Sequence, residues 1–181
     1  MSIYILYIVS LAFLGVLVWL YPGEAERIAA ARGSTWQAVP DVEQLAKHMA
    51  FLGDTQEIEW LPEYSPVRES RSGVVRSYRL HHAEATYRLV IFRHDIACAV
   101  CRDVLAGAVF AEDGTVEHVF VLDEWEVQGK AVDPTPLLAQ LRGREMFRLG
   151  ENVDGISGAT YSSTGLVKQL NRARQWIEAQ L

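Results

Sequence analysis

Charge is absent from the first 21 of the 181 residues, and only Ser2, Ser10 and Gly15 in that stretch fall outside the hydrophobic set. Basic runs are absent everywhere. The chain has 17 Lys and Arg against 23 Asp and Glu, a net charge of −6. Neutralising phosphates along a nucleic acid needs clustered Lys and Arg, so that class of partner is excluded. No internal repeat and no low-complexity tract interrupts the chain. No nucleophile–base triad, paired acids or metal-ligand spacing is legible. The five histidines stand singly except for His81-His82, which argues against a stand-alone enzyme. Cysteine is limited to Cys98 and Cys101. Overall hydrophobic content is 50%, but it is unevenly spread. Once the uncharged leader is set aside, the rest has the composition of one ordinary acidic globular domain.

The leader reads as a membrane anchor. Residues 3–21, IYILYIVSLAFLGVLVWLY, would span about 28 Å as a helix, close to the hydrocarbon thickness of a bilayer. Tyr4, Tyr7, Trp19 and Tyr21 lie toward its ends, where amphipathic rings prefer to sit, and Pro22-Gly23 stops it. A cleaved signal peptide is the competing reading, with Gly23-Glu24-Ala25 as a faint small-x-small site. No Lys or Arg precedes the run, however, and the run is longer than a signal core. The expected organisation is a transmembrane anchor over 1–22, a juxtamembrane linker and helix over 23–53, and a cofactor domain over 54–181.

Within the remainder, Asp41 is placed to cap a short helix, DVEQLAKHMAFLG. Val42, Leu45, Met49 and Leu52 fall at helical spacing, and Gly53 is the stop. Residues 57–73 read as irregular. Residues 74–80 and 86–92 read as strands joined around His81-His82. A second hairpin pairs 104–111 with 116–122 through an Asp113-Gly114 turn. Thr135 and Pro136 open a helix that Gly143 ends, and a C-terminal helix is expected from about Ser163 to Leu181. In that helix Leu166, Leu170, Ala173 and Ile177 form the apolar face, and Lys168, Arg172 and Arg174 the wet one. The expected fold is α+β, with a mostly antiparallel sheet and a closing helix, preceded by one N-terminal transmembrane helix.

The chemistry concentrates in Asp154-Gly155-Ile156-Ser157-Gly158-Ala159-Thr160-Tyr161-Ser162-Ser163-Thr164-Gly165. Small and hydroxyl residues crowd the start of a helix, where unpaired amides and the macrodipole favour an anion such as a phosphate. The plain alternative is a capped loop, with Ser162, Ser163 or Thr164 as the N-cap. The order D-x-x-[S/T]-G-A-T, with five specified positions, should arise by chance in such a chain only about once in ten thousand. It resembles the flavinylation motif of the FMN-binding domain family, which includes the peripheral flavin subunits of the Rnf complex and of the sodium-translocating NADH:quinone reductase. VFVLDEW, PLLAQLRGR and ENVDGISGATYSS follow the family's succession of elements, so the likeness runs from about Val104 to Leu181.

The resemblance implies an FMN joined through its phosphate to Thr160 by a flavin transferase that uses FAD and a divalent metal. Asp154, Gly155, Ser157, Gly158, Ala159, Tyr161, Ser162 and Ser163 would then surround the attachment point. Trp125, Tyr161 and Phe147 are candidates to stack on the flavin ring, against the plain reading that they are core. Where the family usually has a Glu-Thr-Pro-Gly turn, this chain has Glu124-Trp125-Glu126-Val127-Gln128-Gly129, so the ring contacts cannot be carried over.

Cys98 and Cys101 form C-x-x-C. Arg102 stands where a c-type haem would need His, and a full metal site lacks ligands beyond His94, or His81, His82 and His118 brought in by the fold. A reversible dithiol and two inert thiols both remain open, with Arg102 adding positive potential. Arg27 and Arg32 after the leader point to a cytoplasmic domain by the positive-inside rule. The resemblance points the other way, because family flavinylation takes place outside the bacterial cytoplasmic membrane. The expected protein is a single-pass electron carrier at that membrane, its domain periplasmic or extracellular, working with an integral membrane redox protein. The second function class is a thiol-exchange or accessory protein without covalent flavin.

Overall fold

The computed structural model describes residues 39–64, 73–94, 104–124 and 136–180, all within a compact unit spanning Trp36–Leu181. The expected anchor over 1–22 lies outside the described residues. Among those described, no helix is long and apolar enough to cross a membrane. The elements in chain order are α1 (Val42–Ala46), 3-10 segments at Lys47–Leu52 and Thr55–Glu57, β1 (Glu59–Tyr64), β2 (Gly73–His82), β3 (Ala85–His94), β4 (Val104–Ala111), β5 (Val116–Asp123), α2 (Pro136–Leu141) and α3 (Thr160–Glu178). The five strands form one sheet in the order β1-β2-β3-β4-β5, every pair antiparallel. This is the expected α+β domain with its closing helix.

Both faces of the sheet are covered, which explains why β3 and β4 are apolar almost throughout rather than alternating. Val90 and Phe92 of β3 join Ala106, Ala108 and Phe110 of β4 in a core beneath α2 and α3. The intervening Leu89, Ile91, Leu105 and Val109 point the other way, into a second core with Leu45 of α1 and Met49 of the 3-10 segment. Asp41 caps α1 by accepting from the Gln44 N–H at 2.9 Å. Gly53 ends the 3-10 segment with φ +103°.

An aromatic stack anchors this second face. His48 lies flat on Phe120 (centroids 4.2 Å apart, planes 9° apart), and His118 touches both Phe51 and Phe120 at 5.0 and 5.8 Å. Phe120 fits because Gly107 opposite it has no side chain; a Cβ there would strike the Phe120 ring. His118 is held below its ordinary pKa, first by burial and then by the charges of His48 and Arg142.

Four expectations about the fold are corrected. Residues 59–64, read as irregular, form β1. Pro62 hid it, and Pro62 is tolerated because β1 is the sheet edge, with a bulge between Pro62 and Tyr64. His81 and His82 are not the hairpin turn. They pair with Thr86 and Ala85, and the turn is Ala83-Glu84, with Ala83 at φ +52°. The C-terminal helix begins at Thr160, three residues before the expected start. Arg174 is not on the wet face. Its side chain is largely buried and pairs with Glu178 at 3.0 Å and Glu145 at 3.7 Å, and it also donates to the Glu145 carbonyl. The other hairpin stands as expected, with Asp113 accepting from the Thr115 N–H at 2.9 Å and Gly114 at φ +84°.

The depressed His118 pKa fixes a direction for pH. Below the ordinary value of 6.5 the unfolded imidazole takes a proton that the folded one resists, so stability falls as pH drops from that value. Urea unfolding at pH 7 and pH 5 should show a smaller loss of midpoint in His118→Gln than in the wild type.

Candidate functional site

The stretch that leads into α3 is held from three sides by amides that sequence reasoning did not single out. Gln140 of α2 accepts from the Asp154 N–H at 2.8 Å, and its side-chain amide donates to the Asp154 carbonyl at 3.5 Å. Asn152 accepts from the Arg148 N–H at 2.7 Å and donates to the Met146 carbonyl at 2.8 Å. Asn171 of α3 accepts from the Phe147 N–H at 3.2 Å and donates to the Phe147 carbonyl at 2.8 Å. Each amide side chain satisfies a donor and an acceptor of irregular backbone, which such a loop cannot do for itself. Phe147 and Val153 are thereby pressed into the core under α3. Phe147 is 1% exposed and sits in that core, which removes it as a stacking platform.

From this base the chain makes one tight turn into the helix. The Ala159 N–H donates to the Ile156 carbonyl at 3.0 Å, with Gly158 at φ +87° between them. A positive φ at the third position is what a type II turn requires, and glycine meets it without strain. Ala159 is the N-cap and offers no side-chain cap. Ser163 is the first residue of the helix to close onto it, donating to the Ala159 carbonyl at 2.9 Å. Thr160 is the first helical residue and is exposed, as are Asp154, Gly155, Ser157 and Gly158.

This geometry places the hydroxyl residues relative to the start of the helix. Ser162, Ser163 and Thr164 do not cap the helix, because they lie inside it. Ser162 and Ser163 are buried, and the Ser163 Oγ has no hydrogen-bond partner among the described residues. Tyr161 is 77% exposed beside Thr160 and remains available as a ring platform. Asp154, Gly155, Ser157, Gly158, Ala159, Thr160, Tyr161, Ser162 and Ser163 therefore form one continuous turn and helix start. Trp125, Cys98 and Cys101 lie outside the described residues. Among the described residues, no group of three or more His, Cys, Asp and Glu side chains is placed to hold a metal ion.

Residues 104–175 match the FMN-binding domain family. The matched stretch begins at the first residue of β4 and ends inside α3, and it contains the whole turn at the start of that helix. The match supports an FMN-binding domain over that stretch. No curated protein matches the chain. The residues present suit a phosphorylated cofactor. Small residues at 155, 157, 158 and 159 leave the backbone open to close approach, a buried hydroxyl in the first turn lacks a partner, and the positive end of a 19-residue helix favours an anion.

One further residue belongs to this neighbourhood. A Cβ placed on Gly165 would fall within the ring of His94, the last residue of β3. The sequence signal was a glycine inside an otherwise regular helix, which costs about 1 kcal/mol relative to alanine unless something needs the space.

The clamp on Phe147 can be measured. Asn171→Ala strands an N–H and a carbonyl that both lie against the core, so the domain should lose about 1–3 kcal/mol in urea unfolding. Asn171→Asp should retain the bond to the Phe147 N–H and lose only part of that.

Proposed function

We propose that this protein is a membrane-anchored electron carrier with FMN attached through its phosphate to the Thr160 hydroxyl. The observation that carries the reading is the placement of Thr160. It is the exposed first residue of α3, immediately after a glycine turn, within the stretch that matches the FMN-binding domain family. A hydroxyl there can enter a phosphodiester without disturbing the core, whereas Ser162 and Ser163 face inward. The helix dipole and the outward-facing amides of its first turn stabilise the negative charge the phosphodiester retains. When bound, the isoalloxazine ring supplies one- and two-electron redox chemistry, and a covalent tether prevents its loss between cycles. Tyr161 and Trp125 are the residues assigned to its ring. Asp154, Ser157, Gly158 and Ala159 serve recognition by the flavin transferase that makes the bond.

Residues 3–21 act as the tether to the bacterial cytoplasmic membrane. The domain faces the periplasm or the exterior, where the transferase works, beside an integral membrane redox protein. A fusion reporter active on one side only, placed at the C-terminus, tests that topology.

Intact mass after co-expression with a flavin transferase tests the attachment. The expected result is an increment of one esterified FMN on the wild type and none on Thr160→Val, which should still fold. Denaturation-resistant yellow flavin on Thr160→Val overturns the assignment.

A second reading, thiol–disulfide exchange through Cys98 and Cys101, has one observation in its favour. Cys98 and Cys101 keep the C-x-x-C spacing and fall in sequence between His94 and Val104, which are paired across β3 and β4. Alkylation with and without reductant, read by mass, should show a pair that forms and breaks a disulfide. Two thiols that stay free under oxidant exclude this reading.

A further inference from the structure

Arg79 and Arg88 stand directly opposite each other across β2 and β3. Two like charges in that relation oppose the pairing of their strands unless something nearby compensates them. Among the described residues the compensation is incomplete. A single carboxylate serves both, with Glu63 2.7 Å from Arg79 and 3.9 Å from Arg88. Arg88, the more distant of the two, is the buried one, at 9% exposure. Its other contact is the bond to the Ile177 carbonyl at 3.3 Å, which takes up one of the several donors of a guanidinium. The carbonyl end of a helix offsets part of a positive charge but not the whole of it. Two cations and one carboxylate therefore leave an excess of positive charge, and it lies on a group withdrawn from most of the water that would screen it.

A cavity opens on this pair. It has a volume of about 290 Å³, and its lining includes Arg79, His81, Thr86, Arg88, Glu112 and Ile177. His81 and Thr86 are the next same-face pair along the two strands and are hydrogen-bonded at 3.1 Å. Alternate residues of a strand share a face, so these four side chains lie on one side of the hairpin, the side on which Arg88 meets Ile177. Arg79 and Arg88 also line a second cavity of about 260 Å³, but Glu63 stands in the wall of that one and not of the first. Glu112, the acid that does line the first, is exposed and makes no ion pair among the described residues. Guanidinium groups bind the paired oxygens of a carboxylate or a phosphate in a fork, which suits a space walled by two of them. Ile177 and Thr160 stand near opposite ends of α3, about 25 Å apart along its axis, so this place is separate from the turn before Thr160.

We propose that the cavity against Arg79 and Arg88 is a binding site for a small oxyanion, a carboxylate or phosphate group that bridges the two guanidinium groups on the side away from Glu63. Bound there, the anion supplies the charge that Glu63 alone does not. The site is independent of flavin attachment and stands whether or not Thr160 carries a cofactor.

The test is titration calorimetry on the full chain in detergent micelles, at constant ionic strength set with chloride. The probes are inorganic phosphate, acetate and, for a lipid headgroup, micelles doped with phosphatidic acid. Wild type is compared with Arg79→Gln, Arg88→Gln and Arg172→Gln, the last removing an exposed charge of α3 as the control. The expected result is one saturable site for at least one probe, weakened at least about tenfold in Arg79→Gln and Arg88→Gln and unchanged in Arg172→Gln. The probe that binds in this way identifies the source of the oxyanion. Should Arg88→Gln loosen the end of α3, Arg79→Gln carries the comparison, because the Arg79 side chain is the more exposed. Absence of saturable binding by every probe overturns the proposal, and so does an equal loss in all three variants. Phosphate held instead at the start of α3 would bind undiminished in the Arg79 and Arg88 variants, which overturns it as well.

Discussion

Helix α3 is fastened to strand β3 at both of its ends, and the rest of the domain depends on those two contacts. Near its start the backbone at Gly165 comes close enough for the His94 ring to take the place of a side chain. Near its finish the Arg88 guanidinium donates to the Ile177 carbonyl at 3.3 Å, where the last turn has carbonyls to satisfy. Arg88 also lies 3.9 Å from Glu63, which pairs with Arg79 at 2.7 Å, so the far end of the helix is tied to the edge strand as well. Between the two contacts Leu166, Leu170, Ala173 and Ile177 press onto Val90 and Phe92. The helix cannot slide along the sheet without breaking one end or the other. That fixes where Thr160 stands.

The position of Thr160 also depends on what precedes it. The loop between α2 and α3 contains little regular structure, only an isolated bridge between Leu149 and Val153. Gln140, Asn152 and Asn171 replace the missing ladder with paired side-chain amide bonds. Rigid support from neighbouring elements is what such a turn needs, because a turn on its own does not hold its dihedrals. Here the support comes from helices on the same face of the sheet, and the opposite face is stabilised separately by α1 and its aromatic stack.

Much of this was legible in the sequence because local chemistry and tertiary structure agree. The Asp113-Gly114 hairpin, the Asp41 cap and the apolar face of α3 follow from residue types at fixed spacing. The motif ending at Thr160 was legible as an ordered string, and the family match begins at Val104, where the resemblance also began. What was not legible depends on neighbours distant in sequence. Pro62 argues against a strand unless one knows that β1 is an edge. Arg174 reads as solvent-facing unless Glu145 and Glu178 are known to meet it. Phe147 lies close to the motif along the chain, so it was a candidate ring platform as well as a core residue, and only its place under the helix in space makes it core. The start of α3 was misplaced because hydroxyl residues suggest caps, whereas here Ala159 serves as the cap and the serines turn inward.

The chain-order meander has a consequence for how the domain is put together. Each strand pairs with the one just before it, across short connections, so little chain entropy is spent in closing any one pairing. The closing helix is different: its bond from Arg88 to Ile177 spans 89 residues. The sheet can zip up hairpin by hairpin, but one of its faces stays bare until the last segment of the domain lies down. A chain shortened in α3 would keep the sequence of its strands and lose the contacts that hold the turn before Thr160 against the sheet.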